Sequence, residues 1–219
     1  MCIRDRNTHN RKGGTCLSPA QTAALSEVAH EAGFPVHLDG ARVFNAAVAQ
    51  RLDVRQLTDP VDSVMFCLSK GLSAPVGSML AGSSDFIERA RRMRKMLGGG
   101  MRQAGVVAAA GLIALEEMVD RLAEDHANAR RLAEGLSGVP GVDIDLSRVE
   151  TNMVFGDCRP PLTARAFIDR CREVGVLLDQ ASPYRWRMVT HRGVLTEDVD
   201  YAVAAVRQAY GVPALRATG

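Results

Sequence analysis

Aromatic residues make up only 5% of the 219-residue chain, and tryptophan occurs once. That scarcity removes the stacking platforms on which single-stranded nucleic acids are held. Net charge is scarce too, at +2, too little to argue for a polyanionic partner or an acidic membrane surface. The dense basic run Arg89, Arg91, Arg92, Arg94 and Lys95 stands against that balance and reads as a solvated helix face. The five cysteines (Cys2, Cys16, Cys67, Cys158, Cys171) are odd in number and none sits in a Cys-x-x-Cys pair. Neither a disulfide framework nor a zinc site is expected, and reduced thiols are. The longest nearly uninterrupted apolar stretch, residues 104–115, is too short for a bilayer. Charges within residues 1–6 fall where a secretory signal would need its apolar region. The expectation is a cytoplasmic protein with no membrane and no nucleic-acid partner.

What is present is ordinary for a soluble globular chain: 47% apolar and 24% charged residues, with length for one large domain or two small ones. Residues 18–32 read as a helix, with Ser18 as N-cap, Pro19 at the first position and Gly33 as the stop. Short apolar strands are expected over 35–39, ending in Asp-Gly, and over 63–69, followed by Lys-Gly, with a third over 77–81. Helices are expected over 84–97 and, as one predominantly helical stretch, over 101–135. Buried strands alternating with helices indicate an α/β architecture. From Gly138 the texture changes to strands over 142–146, 152–156, 176–178 and 185–189, with helices over 163–174 and 197–210. This is a small α+β unit. The boundary is placed near Met118, giving domains 1–118 and 119–219.

Asp39 closes one apolar strand, and Lys70 follows the next. If those strands are parallel, both residues lie at the carboxyl edge, where an open α/β sheet takes its ligand. A turn-capping Asp and a plain Lys–Asp ion pair are the structural alternatives. A lysine able to form a covalent link, facing a carboxylate able to hold a ring nitrogen protonated, also suits pyridoxal phosphate. His37, two residues before Asp39 and on the same strand face, reads as a satisfied structural histidine.

Four blocks come in one order: Asn7-Thr8-His9-Asn10 with Gly13-Gly14; His37-Leu38-Asp39-Gly40-Ala41-Arg42 with Phe44-Asn45-Ala46; Cys67-Leu68-Ser69-Lys70-Gly71-Leu72 with Ala74-Pro75-Val76-Gly77-Ser78; and Arg94-Lys95 with Gly98-Gly99-Gly100-Met101-Arg102-Gln103. Together they closely resemble the threonine aldolase family, and Arg187-Met188-Val189-Thr190-His191 adds a weaker match. The resemblance covers nearly the whole chain. It implies a partial fold-type-I pyridoxal-phosphate large domain, a mixed and mostly parallel sheet with flanking helices, followed by a small α+β C-terminal domain. It also implies roles: Lys70 holds the cofactor, Asp39 pairs with the pyridine nitrogen, and Arg42 approaches the ring hydroxyl. Arg187 takes the substrate carboxylate, for which a two-pronged guanidinium is well shaped; a strand-surface arginine is the alternative. Lys95 and Arg102 match basic residues near a neighbouring subunit's cofactor, and the glycine turn beside them is either an anion site or a flexible link.

Arg6 stands where the family has a glutamate, so residues 1–6 are expected not to belong to the native sequence. The family's ring-stacking residue and phosphate loop are not recognisable, so the chain reads as an N-terminally truncated fragment. The complete enzyme is expected to be a lyase that cleaves threonine, allo-threonine or a related β-hydroxy-α-amino acid to glycine and an aldehyde, as a homo-oligomer, dimer or tetramer. β-Elimination or racemisation on the same scaffold is one alternative, and a catalytically incompetent fragment is another. Taken alone, these residues are expected to be inactive.

Overall fold

Ser18 accepts a hydrogen bond from the Gln21 backbone N–H at 3.2 Å, and the Gln21 side chain accepts one from the Ser18 N–H at 2.9 Å. This capping box opens α1 (Pro19–Glu31), and Gly33, with φ of +77°, turns the chain out of it. The structure, a computed structural model, describes residues 2–213. It divides into two compact units, Met1–His9 with Cys16–Leu122 and Asn10–Thr15 with Ala123–Gly219.

The first unit is built on a four-stranded sheet in the order β1 (Ile3–Arg6), β2 (Val36–Asp39), β3 (Ser63–Cys67) and β4 (Ser78–Gly82). β1, β2 and β3 run parallel, and β4 is antiparallel to β3. Parallel neighbours need a crossover. α1 connects β1 to β2, while α2 (Val43–Gln50) and α3 (Arg55–Thr58) connect β2 to β3. On β2, Val36 and Leu38 are buried and His37 and Asp39 half-buried, the two-residue period of a strand. Leu38 packs with Val43, Ala46, Ala47 and Leu57. A second cluster joins Leu68, Leu72 and Ala74 to Ala114, Met118 and Leu122, with Ala114 on α5 (Gly105–Glu116). Phe44 and Phe66 meet edge to face at 5.3 Å against both clusters. β4 is exposed throughout, and α4 (Ser84–Met96) buries no residue.

The second unit carries an antiparallel sheet in the order β5 (Val142–Asp143), β6 (Met153–Cys158), β8 (Arg185–Val189), β7 (Asp179–Ser182). Its helices are α6 (Leu122–Leu136), α7 (Ala164–Glu173) and α8 (Thr196–Ala209). One core joins them, with Phe167 stacked on Trp186 at 5.1 Å amid Leu136, Val154, Val199 and Val206. Burial pushes the thiol of Cys158 up to about 11 and that of Cys171 up to about 12, which keeps both in the unreactive thiol form.

Two expectations fail here. The single helical stretch over 101–135 is broken between α5 and α6, where the Leu122 N–H bonds the Val119 carbonyl at 3.0 Å. Met118, within the break, and Leu122, at the start of α6, both lie in one buried cluster. The strand expected over 176–178 lies instead at Asp179–Ser182. Val176 closes α7, its N–H on the Cys171 carbonyl at 2.9 Å after Gly175 at φ +79°. Its apolar side chain serves that helix-end contact.

Candidate functional site

β2 and β3 are parallel, with Asp39 opposite Met65. The carboxyl edge of the first sheet therefore gathers Asn7, Thr8 and His9 after β1, Asp39 to Arg42 at and after β2, and Ser69 and Lys70 after β3. Glycines tighten this edge. A Cβ on Gly40 would lie 3.0 Å from the Met65 carbonyl oxygen, and one on Gly71 would lie 2.7 Å from Leu122 Cδ2 and 3.1 Å from Asn45 Oδ1. Lys70 is thus followed by a backbone pressed onto Asn45, which is itself buried at the start of α2. That contact joins the second and third motif blocks physically.

Lys70 is exposed, and its Nζ donates to Cys67 Sγ at 2.8 Å. The Asp39 side chain is only 14% exposed. Arg6 donates to its Oδ2 from Nε at 2.9 Å and from Nη2 at 2.5 Å, and Arg4 Nη2 lies 3.2 Å from the same oxygen. His37 shares a 2.9 Å hydrogen bond with Ser63 Oγ. Burial lowers its pKa, Asp39 opposes that, and Arg4 adds to it. This is the bonded structural histidine expected from its place on the strand. Arg42 stands half-buried at the N-terminal end of α2.

Asn7 is fully buried and its amide is spent on the chain, donating to the Leu17 carbonyl at 3.0 Å and accepting from the Leu17 N–H at 3.2 Å. Lys95 lies in the last turn of α4 and leans over the glycine turn. A Cβ on Gly100 would lie 2.9 Å from Lys95 Cδ and one on Gly99 3.0 Å from Arg94 Cγ. Arg102 is exposed just beyond this turn.

In the second unit, Arg187 projects from β8 opposite Asp179 on β7. Its Nη2 donates to Asp179 Oδ2 at 2.6 Å and its Nη1 to Asn10 Oδ1 at 3.1 Å. Sequence reasoning missed Asp179, because the misplaced strand put it beyond the element. It also missed Arg4 and Arg6 as partners of Asp39. Strand alternation combined with the β1–β2 register, Arg6 opposite Asp39, is the signal that finds them. Among the described residues no group of three or more His, Cys, Asp or Glu could hold a metal ion, and no helix is long and apolar enough to cross a membrane.

The same fold, a mostly parallel sheet joined in sequence to an antiparallel α+β unit, is found in solved structures. A threonine aldolase of Leishmania major superposes with a TM-score of 0.79 at 18% identity, over 94% of this chain and 60% of that one. A ureidoglycine–glyoxylate aminotransferase of Bacillus subtilis superposes at 0.69 and 12% identity, over 99% and 62%. These likenesses show the fold, the fold-type-I arrangement expected from the sequence. The sequence pattern of the beta-eliminating lyase family matches residues 2–159, and the chain belongs to that family. Within it, the chain is 46% identical over 211 residues to low-specificity L-threonine aldolase 1 of Arabidopsis thaliana, covering 95% of this chain and 58% of that protein. It is 44% identical over 193 residues to the low-specificity L-threonine aldolase of Escherichia coli O157:H7, over 88% and 55%. The chain thus spans somewhat more than half the length of these curated relatives.

Proposed function

We propose that the whole protein is a pyridoxal-phosphate-dependent carbon–carbon lyase. Its substrates are threonine, allo-threonine or related β-hydroxy-α-amino acids, and its products glycine and an aldehyde. The observation that carries this reading is Asp39 and Lys70 together at the carboxyl edge of adjacent parallel strands. Bound there, the cofactor supplies an electron sink for the bond between the α and β carbons. The donor set fits it: Lys70 offers an exposed primary amine, and Asp39 a carboxylate whose bonds from Arg6 both end on Oδ2. Lys70 would carry the cofactor, Asp39 would keep its ring nitrogen protonated, and Arg42 would meet its ring hydroxyl. Arg187 binds and orients the substrate carboxylate through paired N–H donors. Lys95 and Arg102 contribute from a neighbouring subunit of a homodimer or homotetramer in the cytoplasm. The later part of the large domain corresponds to residues 1–118, and the small domain to 119–219.

A second reading, an incompetent chain, has its own support. Arg6 and Arg4 occupy Asp39 Oδ2, where a cofactor nitrogen competes with two guanidinium groups. The test is glycine formation from threonine with excess cofactor, run on this chain and on the protein at the length of its relatives. Turnover is expected from the longer protein and none from this chain. A longer protein that binds the cofactor and leaves threonine intact overturns the aldolase assignment, and robust turnover by this chain overturns the incompetent reading.

A further inference from the structure

Arg187 and its surroundings carry one step more, which rests on the proposed reading of Arg187 as the carboxylate-binding group. β8 lies between β6 and β7. Trp186 and Met188 point into the core on one face, and Arg185 and Arg187 stand half-buried on the other. Arg187 is therefore anchored on an inner strand, and its side chain is only 26% exposed. Asp179 is placed differently, on the edge strand β7, with a side chain 68% exposed. The two are direct cross-strand partners, and both line an open concavity of about 660 Å³ with Asn10, Phe155, Ser182 and Arg185.

The guanidinium end is thus bracketed by two acceptors of different kinds. Asn10 Oδ1 on Nη1 is neutral, whereas Asp179 Oδ2 on Nη2 is a carboxylate, chemically the group that an amino-acid substrate would present. Each Nη carries two N–H groups, so an incoming carboxylate either displaces Asp179 from Nη2 or binds beside it as a like charge. That displacement is mild, because Asp179 can swing into water from an edge strand while Arg187 stays fixed. We infer that Asp179 is a specificity-determining residue. It holds Arg187 in place, competes with the substrate carboxylate for Nη2, and repels ligands that bring a second negative charge. Arg185, on the same face, is turned toward other groups, 3.8 Å from Asp157 and over the Phe155 ring.

The test follows the Arg187 Nε–H resonance in chain labelled with 15N-arginine, assigned by its loss in Arg187→Lys, during titration with acetate at constant ionic strength. An exposed ion pair is worth little, so Asp179→Asn is expected to tighten acetate binding by about fivefold. Succinate should gain more than acetate, because its second charge no longer faces Asp179. Asp179→Glu should restore the weaker binding of the parent. Emission from Trp186, unchanged in each variant, reports that the unit is folded, and Asp179→Ser repeats the test where Asn does not fold. Equal acetate midpoints in parent and Asn variant overturn the competition while leaving Arg187 a carboxylate site. A Glu variant that behaves like Asn also overturns it, because the charge would then be irrelevant. An Arg187 resonance that moves in neither chain overturns the Arg187 reading and this inference with it.

Discussion

The two units bury their sheets to very different degrees. In the second, helices and antiparallel strands close on one continuous core with Phe167 and Trp186 fully buried at its centre. In the first, two smaller clusters share the work, β4 is exposed along its length, and α4 buries nothing. Met79, Leu80, Met93, Met96 and Leu97 are left in solvent there. Apolar burial scales with area removed from water, so the unit with the continuous core is expected to be the more stable one. The unit with the lysine and the carboxylate is the one whose packing is thin. Chemistry placed on loops at a sheet edge depends on a scaffold beneath it, and here that scaffold is the parallel pair β2–β3.

The largest expected effect is all-or-none and lies in the first unit. After incubation with pyridoxal phosphate and reduction by borohydride, the pyridoxyl group should sit on the peptide containing Lys70, and Lys70→Ala should abolish it. Label found instead on Lys12 or Lys95 would sink the assignment. Next comes the core of the second unit. A Cβ on Gly156 would drive into the Trp186 indole, so Gly156→Ala should cost about 2–3 kcal/mol by overpacking. Trp186 is the chain's one tryptophan, so denaturant unfolding followed by its emission reads this unit alone. An unchanged midpoint would show that the unit is looser than its packing implies.

A pH titration sharpens the comparison further. Burial pushes His126 down to about 4, against about 6.5 for an unfolded histidine. A lowered histidine pKa means that the fold prefers the neutral ring. The contribution is therefore complete above pH 6.5 and is lost as pH falls toward 4, roughly 3 kcal/mol in all. In the first unit His37 acts with the same sign through a smaller shift. Asp62, lowered from 3.8 by the Val36 N–H and by His30, acts with the same sign but only in more acidic solution. Trp186-detected stability should thus fall between pH 6.5 and 4, and His126→Gln should flatten that slope; a slope that survives the substitution would move its cause elsewhere. The smallest effect belongs to α4. Glu88→Gln breaks an exposed pair with Arg92 at 2.8 Å and should change stability by less than about 0.5 kcal/mol. A larger loss by thermal melting would mean that α4 is not the solvated helix described.

Legibility in the sequence followed the range of the forces involved. Ser18, Pro19 and Gly33 announced α1 because capping and backbone conformation are settled within a few residues. The carboxyl-edge placement of Asp39 and Lys70 was legible up to one condition, that their strands be parallel. Asp179 was not legible, since Val176 carries a strand-like apolar signal that the fold spends on the end of α7.

The sequence by itself determined the local elements and the residue types that a ligand could use: a lysine after one apolar strand, a carboxylate at the end of another, an arginine on a third. It determined the family as well, through motif blocks whose order is a property of the chain alone. Only the tertiary structure decided how those groups are occupied. It put Arg6 and Arg4 on Asp39, Asn10 and Asp179 on Arg187, and Gly71 against Asn45. It also broke the long helix between α5 and α6. The reason is physical. Strand register and core closure join residues far apart in sequence, and their energies arise from contacts that no local window contains.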